Sequence, residues 1–248
     1  MKNLSVAIIT KNEEQNLPNC LKSIEWVDDI VVVDSGSEDR TRTICKEFGC
    51  RCYESEWLGY GKTKQVAVDN CKNKWVLVLD ADEVVTENLH QALQNILKNP
   101  QYSGYRIKRN SFYLGQRIKH CGWGQDYPLR LFNKTRGHFN EKMVHEEIKI
   151  EDGRVGKIKQ PMQHFTYPTI EDHITKMAKY ARLGADSQSE DNSSSIFKAV
   201  SSGLFKFLKM YILKFGFLDG KKGFLLCMNS AFGAYLKYIY IWENNERK

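Results

Sequence analysis

The stretch Trp75–Glu83 reads WVLVLDADE and decides the fold class. Its apolar residues do not alternate with polar ones, a pattern typical of a strand that is buried on both faces of a sheet. Three carboxylates, Asp80, Asp82 and Glu83, follow directly, and ligands of open α/β sheets bind at this carboxyl edge. Carboxylate oxygens suit Mg²⁺ or Mn²⁺, which would in turn need an anionic ligand such as a diphosphate. The alternative is an exposed acidic turn that keeps the strand end soluble.

Three more apolar runs precede this stretch, and helical patterns separate them. The predicted strands are Ser5–Thr10, Ile30–Val33, the weaker Cys50–Glu54, and Trp75–Leu79; the predicted helices are Leu17–Ile24, Arg40–Phe48, Lys62–Asn70 and Glu87–Leu97. Strands that alternate with helices indicate βαβ units and a parallel sheet, so we expect an α/β fold.

The chain after residue 100 is less regular. We predict strands at Gly104–Arg109 and Leu129–Phe132, a hairpin of Glu147–Ile150 with Arg154–Ile158 that turns at Asp152-Gly153, and a helix at Thr169–Ser187. The polar, serine-rich residues 188–195 indicate a hinge. The expected organisation is therefore one domain over 1–187, with halves 1–100 and 101–187, followed by a tail over 196–248.

The tail carries most of the basic character of the chain. From Ile196 onward it holds nine Lys and Arg against three acids, in a protein of net charge +7. A break at Asp219-Gly220 separates two predicted helices. On the first, apolar residues share one face and lysines lie on the opposing side: Phe197, Val200, Leu204, Leu208, Tyr211 and Phe215 against Lys198, Lys206 and Lys209. Such a basic amphipathic pair is typical of binding to an anionic membrane surface, whereas packing on the rest of the protein, or a homodimer contact, is the alternative.

Cysteine usage and segment lengths exclude several classes of protein. The seven cysteines are scattered without a CxxC pair, so we expect no zinc and reduced thiols in a cytoplasmic protein. The apolar stretch within the N-terminal MKNLSVAIIT is too short for a signal peptide. The longest uncharged run, 14 residues at Gly223–Leu236, is shorter than the roughly 20 that span a bilayer. Nucleic acid is not an expected partner, because the aromatic residues of the tail share the apolar helix face.

Polar side chains also follow the earlier strands. Thr10 and Asn12 come after the first strand, and Asp34 and Asp39 flank a Ser-Gly-Ser turn after the second. A turn of this kind lets the backbone approach a ligand, and a carboxylate can recognise a nucleobase. A metal ion held by Asp82 would neutralise a diphosphate and stabilise it as a leaving group.

These motifs resemble a known family. SVAIITKNEEQNLPNCLKSI, IVVVDSGSEDRT and WVLVLDADE occur in the order and spacing of the N-terminal half of glycosyltransferase family 2. The resemblance implies a GT-A fold, a nucleotide-diphospho-sugar donor and transfer with inversion. It also implies residue roles: a nucleotide pocket lined by Thr10 and Glu13, a uracil contact from Asp39, a ribose or metal contact from Asp80, and a metal ligand in Asp82.

The second half narrows the resemblance. Arg130-Leu131-Phe132, Val144-His145-Glu146, and the tail segments FLDGKKGF and AFGAYLKY are similar to the bacterial lipopolysaccharide-core β-glucosyltransferase branch. That branch implies glucose from UDP-glucose as the donor sugar and a membrane-linked glycolipid as the acceptor. It also implies a peripheral location on the cytoplasmic face of the bacterial inner membrane.

Inverting transfer needs one general base to take the proton of the acceptor hydroxyl. The candidates are Glu141, Glu146 and Glu147, and we predict Glu146 because it follows His145 in the family-like His-Glu pair. A structural salt bridge is the alternative for Glu146. His145 could orient this carboxylate or contact the diphosphate.

Two cationic residues are further candidates for the site. Arg130 could contact the diphosphate or the acceptor, and Lys64, in the stretch GYGKTKQ, could help to hold the donor. Ordinary solvated side chains are the alternative for both.

Two other functions share parts of this pattern. A sugar nucleotidyltransferase usually needs a glycine-rich, basic loop after the first strand, but Lys11-Asn12-Glu13-Glu14 is acidic and lacks glycine. A non-catalytic membrane adaptor would not need the full set of carboxylates that this chain retains.

Overall fold

The computed structural model describes residues 3–140, 146–187 and 194–246. Its strands are β1 Leu4–Thr10, β2 Asp29–Asp34, β3 Arg51–Glu54, β4 Trp75–Asp80, β5 Glu83–Val85, β6 Gly104–Tyr113, β7 Gln116–Arg117, β8 Leu129–Asn133, β9 Gly137–Phe139, β10 Ile148–Ile150 and β11 Val155–Tyr167. Its α-helices are α1 Leu17–Lys22, α2 Thr41–Glu47, α3 Tyr60–Asp69, α4 Glu87–Lys98, α5 Ile170–Asp186, α6 Ile196–Leu208 and α7 Gly220–Glu246. A π-helical turn at Lys209–Leu213 and a 3₁₀ turn at Gly216–Asp219 connect the last two helices.

Among the described residues, nine strands form one mixed sheet. The order is β3-β2-β1-β4-β8-β6-β11-β5, with β7 added beside β6. Strands β3, β2, β1 and β4 are parallel, which confirms the predicted βαβ half. Their valine, isoleucine and leucine side chains are almost fully buried except for Ile9 and Ile30, which are partly exposed, as expected for strands covered on both faces.

The register of the parallel strands places the polar residues at their carboxyl ends side by side. Thr10 pairs with Asp34 across β1 and β2, and Ile9 pairs with Asp80 across β1 and β4. The carboxyl ends of three neighbouring strands therefore lie at the same edge of the sheet, which is where α/β proteins bind ligands.

One predicted feature of the second half needs correction. The predicted hairpin of Glu147–Ile150 with Arg154–Ile158 is wrong, because β10 pairs with β9 whereas β11 pairs with β5 and lies beside β6. The turn itself exists, with the Gly153 amide donating to the Ile150 carbonyl at 3.1 Å. Gly137 in β9 permits the other pairing, because a Cβ there would lie only 2.7 Å from a side-chain carbon of Ile150.

The chain divides into two compact units. The first comprises the described residues of Met1–Arg109 and Asp126–His164, and the second those of Asn110–Gln125 and Phe165–Lys248. The strands β6 and β11 each run from the first unit into the second. This division differs from the boundary that the sequence indicated at 188–195, and residues 188–193 of that hinge lie outside the described part of the chain.

The helices of the second unit pack through small residues. Ala199 and Gly203 of α6 are buried, and a Cβ on Gly203 would lie 3.2 Å from the carbonyl oxygen of Ala231 in α7. The close approach of the two helices therefore depends on the absence of bulk at this contact. In the described ranges, no helix combines the length and apolar character needed to cross a membrane.

A buried histidine lies in the core of the second unit. The ring of His173 stacks on Tyr167 at a centroid distance of 4.2 Å, and its Nδ1 lies 3.1 Å from the hydroxyl of Tyr113 and 3.3 Å from the amide nitrogen of Asn229. Burial lowers the pKa of His173 to about 4. The folded protein therefore keeps this ring neutral at pH values where an exposed histidine is protonated.

Acid should destabilise the protein partly through His173. Between the ordinary histidine pKa of 6.5 and the folded value of about 4, the unfolded chain binds a proton that the folded chain does not. The free energy of unfolding should therefore decrease as the pH is lowered through this window, by at most about 1.4 kcal/mol per pH unit. Urea denaturation of His173→Phe should show a flatter dependence in this window, whereas His138→Phe, at an exposed position, should keep the wild-type slope. An unchanged slope in His173→Phe would contradict this assignment.

Candidate active site

The loops that follow β1 and β2 are joined by hydrogen bonds. The backbone amide of Asn12 donates to the Ser37 hydroxyl at 2.8 Å, and the Asn12 side chain accepts from the Glu38 amide at 2.9 Å. The amide of Glu13 donates to the Thr41 hydroxyl at 2.8 Å. Asn12 adopts a left-handed φ of 56°, which asparagine tolerates better than most residues. The two loops therefore form one continuous wall at the carboxyl edge.

The two aspartates of the second loop shape this wall. Asp34 is fully buried, and its carboxylate accepts from the Ser37 amide at 2.9 Å, which fixes the Ser-Gly-Ser turn. Asp39 accepts from the amides of Thr41 at 2.9 Å and Glu14 at 3.1 Å. Burial would raise the pKa of Asp39, but hydrogen bonds from Thr41 and Glu14 outweigh it and lower the pKa. Both carboxylates thus hold the loops in shape.

Two buried hydroxyls at this edge have no hydrogen-bond partner among the described residues. They are the side-chain oxygens of Thr10, at the end of β1, and Ser35, just after β2. The Ser35 amide donates to the Thr10 carbonyl at 2.9 Å, so the two residues are neighbours. Buried hydroxyls are nearly always hydrogen-bonded in folded proteins, so these two are available to bind a polar ligand.

Asp80, at the end of β4, binds two buried cations. Its Oδ1 lies 2.8 Å from Nζ of Lys64, and its Oδ2 binds the guanidinium of Arg130. Arg130 also lies 2.6 Å from Glu83, and Lys64 lies 2.7 Å from Glu146. The last residue of the strand is therefore linked to the predicted base through one lysine.

The alternation of acidic and basic side chains continues beyond Glu83, on the side away from Lys64. Arg109 lies 3.0 Å from Glu83 and 2.7 Å from Asp126. We call the whole set the charge chain. In order, it consists of Asp126, Arg109, Glu83, Arg130, Asp80, Lys64 and Glu146.

Burial and ion pairing act against each other in the charge chain. Burial would raise the pKa of Asp80, but the charges of Arg130 and Lys64 outweigh it and hold the pKa well below its usual range. Burial would lower the pKa of Lys64, but the Asp80 carboxylate outweighs it and raises the pKa. Asp80 and Lys64 are therefore both ionised at neutral pH.

Asp82 lies beside a histidine that the sequence did not single out. Its Oδ2 is 3.4 Å from Nε2 of His164, and both side chains are largely buried. The antiparallel pairing of β5 with β11 sets Glu83 opposite His164, which brings the ring next to Asp82. His164 is one isolated histidine in an irregular strand pattern, so the sequence carried no signal for it.

A divalent cation fits this donor set only together with an anionic ligand. Within the ranges that the structure describes, no group of three or more His, Cys, Asp or Glu side chains is arranged to hold a metal ion. Asp80 has a cation on each oxygen, so a metal ion there would have to displace Lys64 or Arg130, whereas Asp82 has the imidazole of His164 at 3.4 Å. Mg²⁺ is commonly bound by one or two carboxylates, with water and substrate phosphates completing its shell. The residues fit a metal ion of that kind.

The predicted site residues thus fall into four groups, one of which is Asp82 alone, beside His164. Lys64, Asp80, Arg130 and Glu146 contact one another directly in the charge chain. The residues at the β1 and β2 ends form the adjacent wall: Thr10, Asn12, Glu13, Asp34 and Asp39. His145 and the alternative base Glu141 lie outside the described residues. The sequence missed Arg109 and His164, and it identified Glu83 only as one of three carboxylates that follow the strand.

Known proteins with similar sequences give the family. The profile of the family described as glycosyl transferase family 2 matches residues 5–151. The lipopolysaccharide core biosynthesis glycosyltransferase LpsC of Rhizobium meliloti is 30% identical over 99% of this chain and 94% of its own length. An uncharacterized glycosyltransferase of Rickettsia typhi is 28% identical over 98% of this chain and 88% of its own length.

A solved structure shares the architecture. A crystal structure described as that of a mycobacterial protein superposes with a TM-score of 0.51 over 74% of each chain, with 14% identical residues. That likeness concerns the fold alone. With the family profile, the near full-length relatives and the sheet described above, the chain belongs to glycosyltransferase family 2 and has the GT-A fold.

Proposed function

We propose that the protein is an inverting glycosyltransferase that moves glucose from UDP-glucose onto a membrane-linked glycolipid of the lipopolysaccharide inner core. The observation that carries the proposal is the charge chain, which links Asp80 at the sheet edge to Glu146 through Lys64. The similarity to LpsC supports the lipopolysaccharide acceptor. Capsule, O-antigen or another lipid-linked sugar is the alternative acceptor. The protein would act at the cytoplasmic face of the inner membrane.

The donor would bind along the carboxyl edge of the parallel strands. Thr10 and Glu13 would line the nucleotide pocket, and Asp39 would contact the uracil. The unpartnered Thr10 hydroxyl supports this position, because a ligand hydrogen bond there would remove a buried unsatisfied group. Lys64 and Arg130 would fix the position of the Asp80 carboxylate in the donor site. They would also be able to contact the diphosphate.

Asp82, with His164 beside it, would hold Mg²⁺ or Mn²⁺ against the donor diphosphate, and Asp80 would complete the acidic side of this site. When bound, the cation neutralises the charge of the leaving diphosphate. The 3.4 Å distance between Asp82 Oδ2 and His164 Nε2 and the burial of both side chains support this assignment.

Glu146 would take the proton of the acceptor hydroxyl. The acceptor oxygen then forms a bond to the anomeric carbon while the bond to the diphosphate breaks, which inverts the configuration. Glu146 is largely buried in the charge chain, whereas Glu147 is exposed, which favours Glu146. The ammonium of Lys64 at 2.7 Å would orient the carboxylate.

A thermal-shift panel of nucleotide-sugars, with and without Mn²⁺, tests the donor. A bound donor stabilises the folded state by mass action, so UDP-glucose with Mn²⁺ should raise the melting temperature more than other donors do. A larger shift with another nucleotide-sugar would overturn the choice of glucose. No shift with any donor would overturn the transferase assignment of this site.

Asp82→Ala should reduce sugar transfer by at least about 100-fold, because the cation that neutralises the diphosphate would be lost. The Mn²⁺-dependent part of the thermal shift with UDP-glucose should disappear as well. Asp69→Ala, an exposed carboxylate on α3, is the matched control and should leave both readouts unchanged. Normal transfer by purified Asp82→Ala would refute the metal role.

Glu146→Gln should reduce turnover by about 100-fold or more, since proton transfer contributes roughly that much to catalysis. Donor binding should persist, because the amide keeps the shape of the side chain. Glu147→Gln serves as the control, with wild-type activity expected. If Glu146→Gln turned over normally, the base would have to be Glu141 or Glu147.

Arg130→Met should lower the free energy of unfolding by about 3–5 kcal/mol, because Asp80 and Glu83 would stay buried without their shared cation. Urea denaturation measures the loss. Arg106→Met removes an exposed arginine from β6 and should change stability little. A small effect of Arg130→Met would mean that water or the other cations compensate, contrary to the buried charge chain.

A further inference from the structure

The second unit exposes an extended apolar surface. Of the twenty large apolar side chains that are exposed among the described residues, fourteen lie between residues 196 and 232, on α6, the two turns and the first half of α7. Phe197 is 82% exposed and Leu213 is 68% exposed, far above the values of the buried apolar residues of the core. We call this set the outer apolar surface; Phe197, Leu204, Phe205, Leu213 and Leu218 are its most exposed members.

The packing of α6 on α7 explains why bulky residues face outward. Ala199 and Gly203 form the buried side of α6, and Gly203 approaches the Ala231 carbonyl and the Tyr235 Cβ of α7. An amphipathic helix of a globular protein normally buries its bulky apolar face. Here α6 buries its smallest residues instead, and the face predicted from the sequence as apolar remains largely exposed. Apolar surface of this extent marks an interaction site.

The charges around the surface favour an anionic partner. Residues 196–232 contain six lysines and one acid, Asp219. Asp219 is buried and accepts from the backbone amides of Lys119 and His120, so it offers no exposed negative charge. Lys209 lies 6.0 Å from the Phe205 ring centroid, so a cation adjoins the apolar residues directly. Two copies of such a surface would repel each other, whereas an anionic bilayer offers both apolar depth and negative headgroups.

We infer that the outer apolar surface inserts into the headgroup region of an anionic lipid bilayer. The aromatic and aliphatic side chains of α6 enter the acyl boundary, and the neighbouring lysines bind lipid phosphates. This inference deepens the proposed function and rests on it in one respect, namely that a glycolipid acceptor places the enzyme at a membrane. It differs from purely electrostatic attachment, because the apolar residues supply most of the contact.

Vesicle flotation of the full-length chain tests the inference. The wild type should float with phosphatidylethanolamine–phosphatidylglycerol vesicles and less with phosphatidylcholine vesicles. At about 0.5 M NaCl, where charges are screened within a few ångströms, a measurable fraction should still float. Complete release by salt would overturn insertion, and so would absence of binding to both kinds of vesicle.

A triple variant, Phe197→Ser, Leu204→Ser and Phe205→Ser, should bind anionic vesicles at least about tenfold more weakly. The matched control removes three exposed apolar residues elsewhere, with Tyr102→Ser, Ile170→Ser and Ile174→Ser, and should float like the wild type. Wild-type flotation of the first triple variant would refute the surface.

Two further measurements distinguish membrane insertion from loss of the fold and from dimerisation. The first triple variant should keep the thermal shift with UDP-glucose and Mn²⁺, since the donor residues are untouched. Loss of flotation with that shift retained supports insertion, whereas flotation by a chain that binds no donor would refute only the transferase. Light scattering should find the same mass for wild type and variant. A wild-type dimer that the variant dissociates would assign the surface to a second copy and overturn the inference.

Discussion

The ion pairs of Arg130 with Asp80 and Glu83 are the interaction on which the site depends. Two carboxylates three residues apart, one at the end of β4 and the other at the start of β5, would repel each other in a buried position. Arg130 binds both, Lys64 binds the other oxygen of Asp80, and Arg109 binds the same oxygen of Glu83 as Arg130 does. A buried ion pair gives little net stability, but loss of one partner is costly, so such an arrangement fixes geometry more than it stabilises. Glu146 is joined to the sheet edge through Lys64, which binds the same Asp80.

The parallel half of the fold could be predicted well from the sequence, because the relevant signals are local. Valine-rich runs, helical periodicity and the polar segments between them identified β1 to β4 with small errors at the ends. Helical periodicity also predicted α5, whose N-terminal cap at Thr169 is present as a reciprocal capping box with Asp172. Prediction failed for short strands and for strand pairing. The strand β5, which has three residues, was not predicted, and β10 pairs with β9 rather than with the predicted strand.

The candidate site shows the same limit. Residue types at strand ends indicated which side chains could do chemistry, but not what each one binds. Lys64 and Glu146 are 82 residues apart in sequence, and Arg130 lies 50 residues from Asp80, so neither contact leaves a local pattern. The Arg130 contact follows from the antiparallel strand β8 beside β4, which sequence spacing does not specify. His164 reaches Asp82 for the same kind of reason, through β5 and β11.

The three acids of the WVLVLDADE stretch therefore differ in role, because each one has different contacts. Glu83 is fully buried, accepts from the Asp80 amide and binds two arginines, so it shapes the turn. Asp80 is held between two cations, and a metal ion there would have to displace a lysine or an arginine. Asp82 lies 3.4 Å from the imidazole of His164, which is itself a common metal ligand when neutral. A cation at Asp80 would have to break one of these ion pairs, and for this reason Asp82 is the metal ligand in the proposed function.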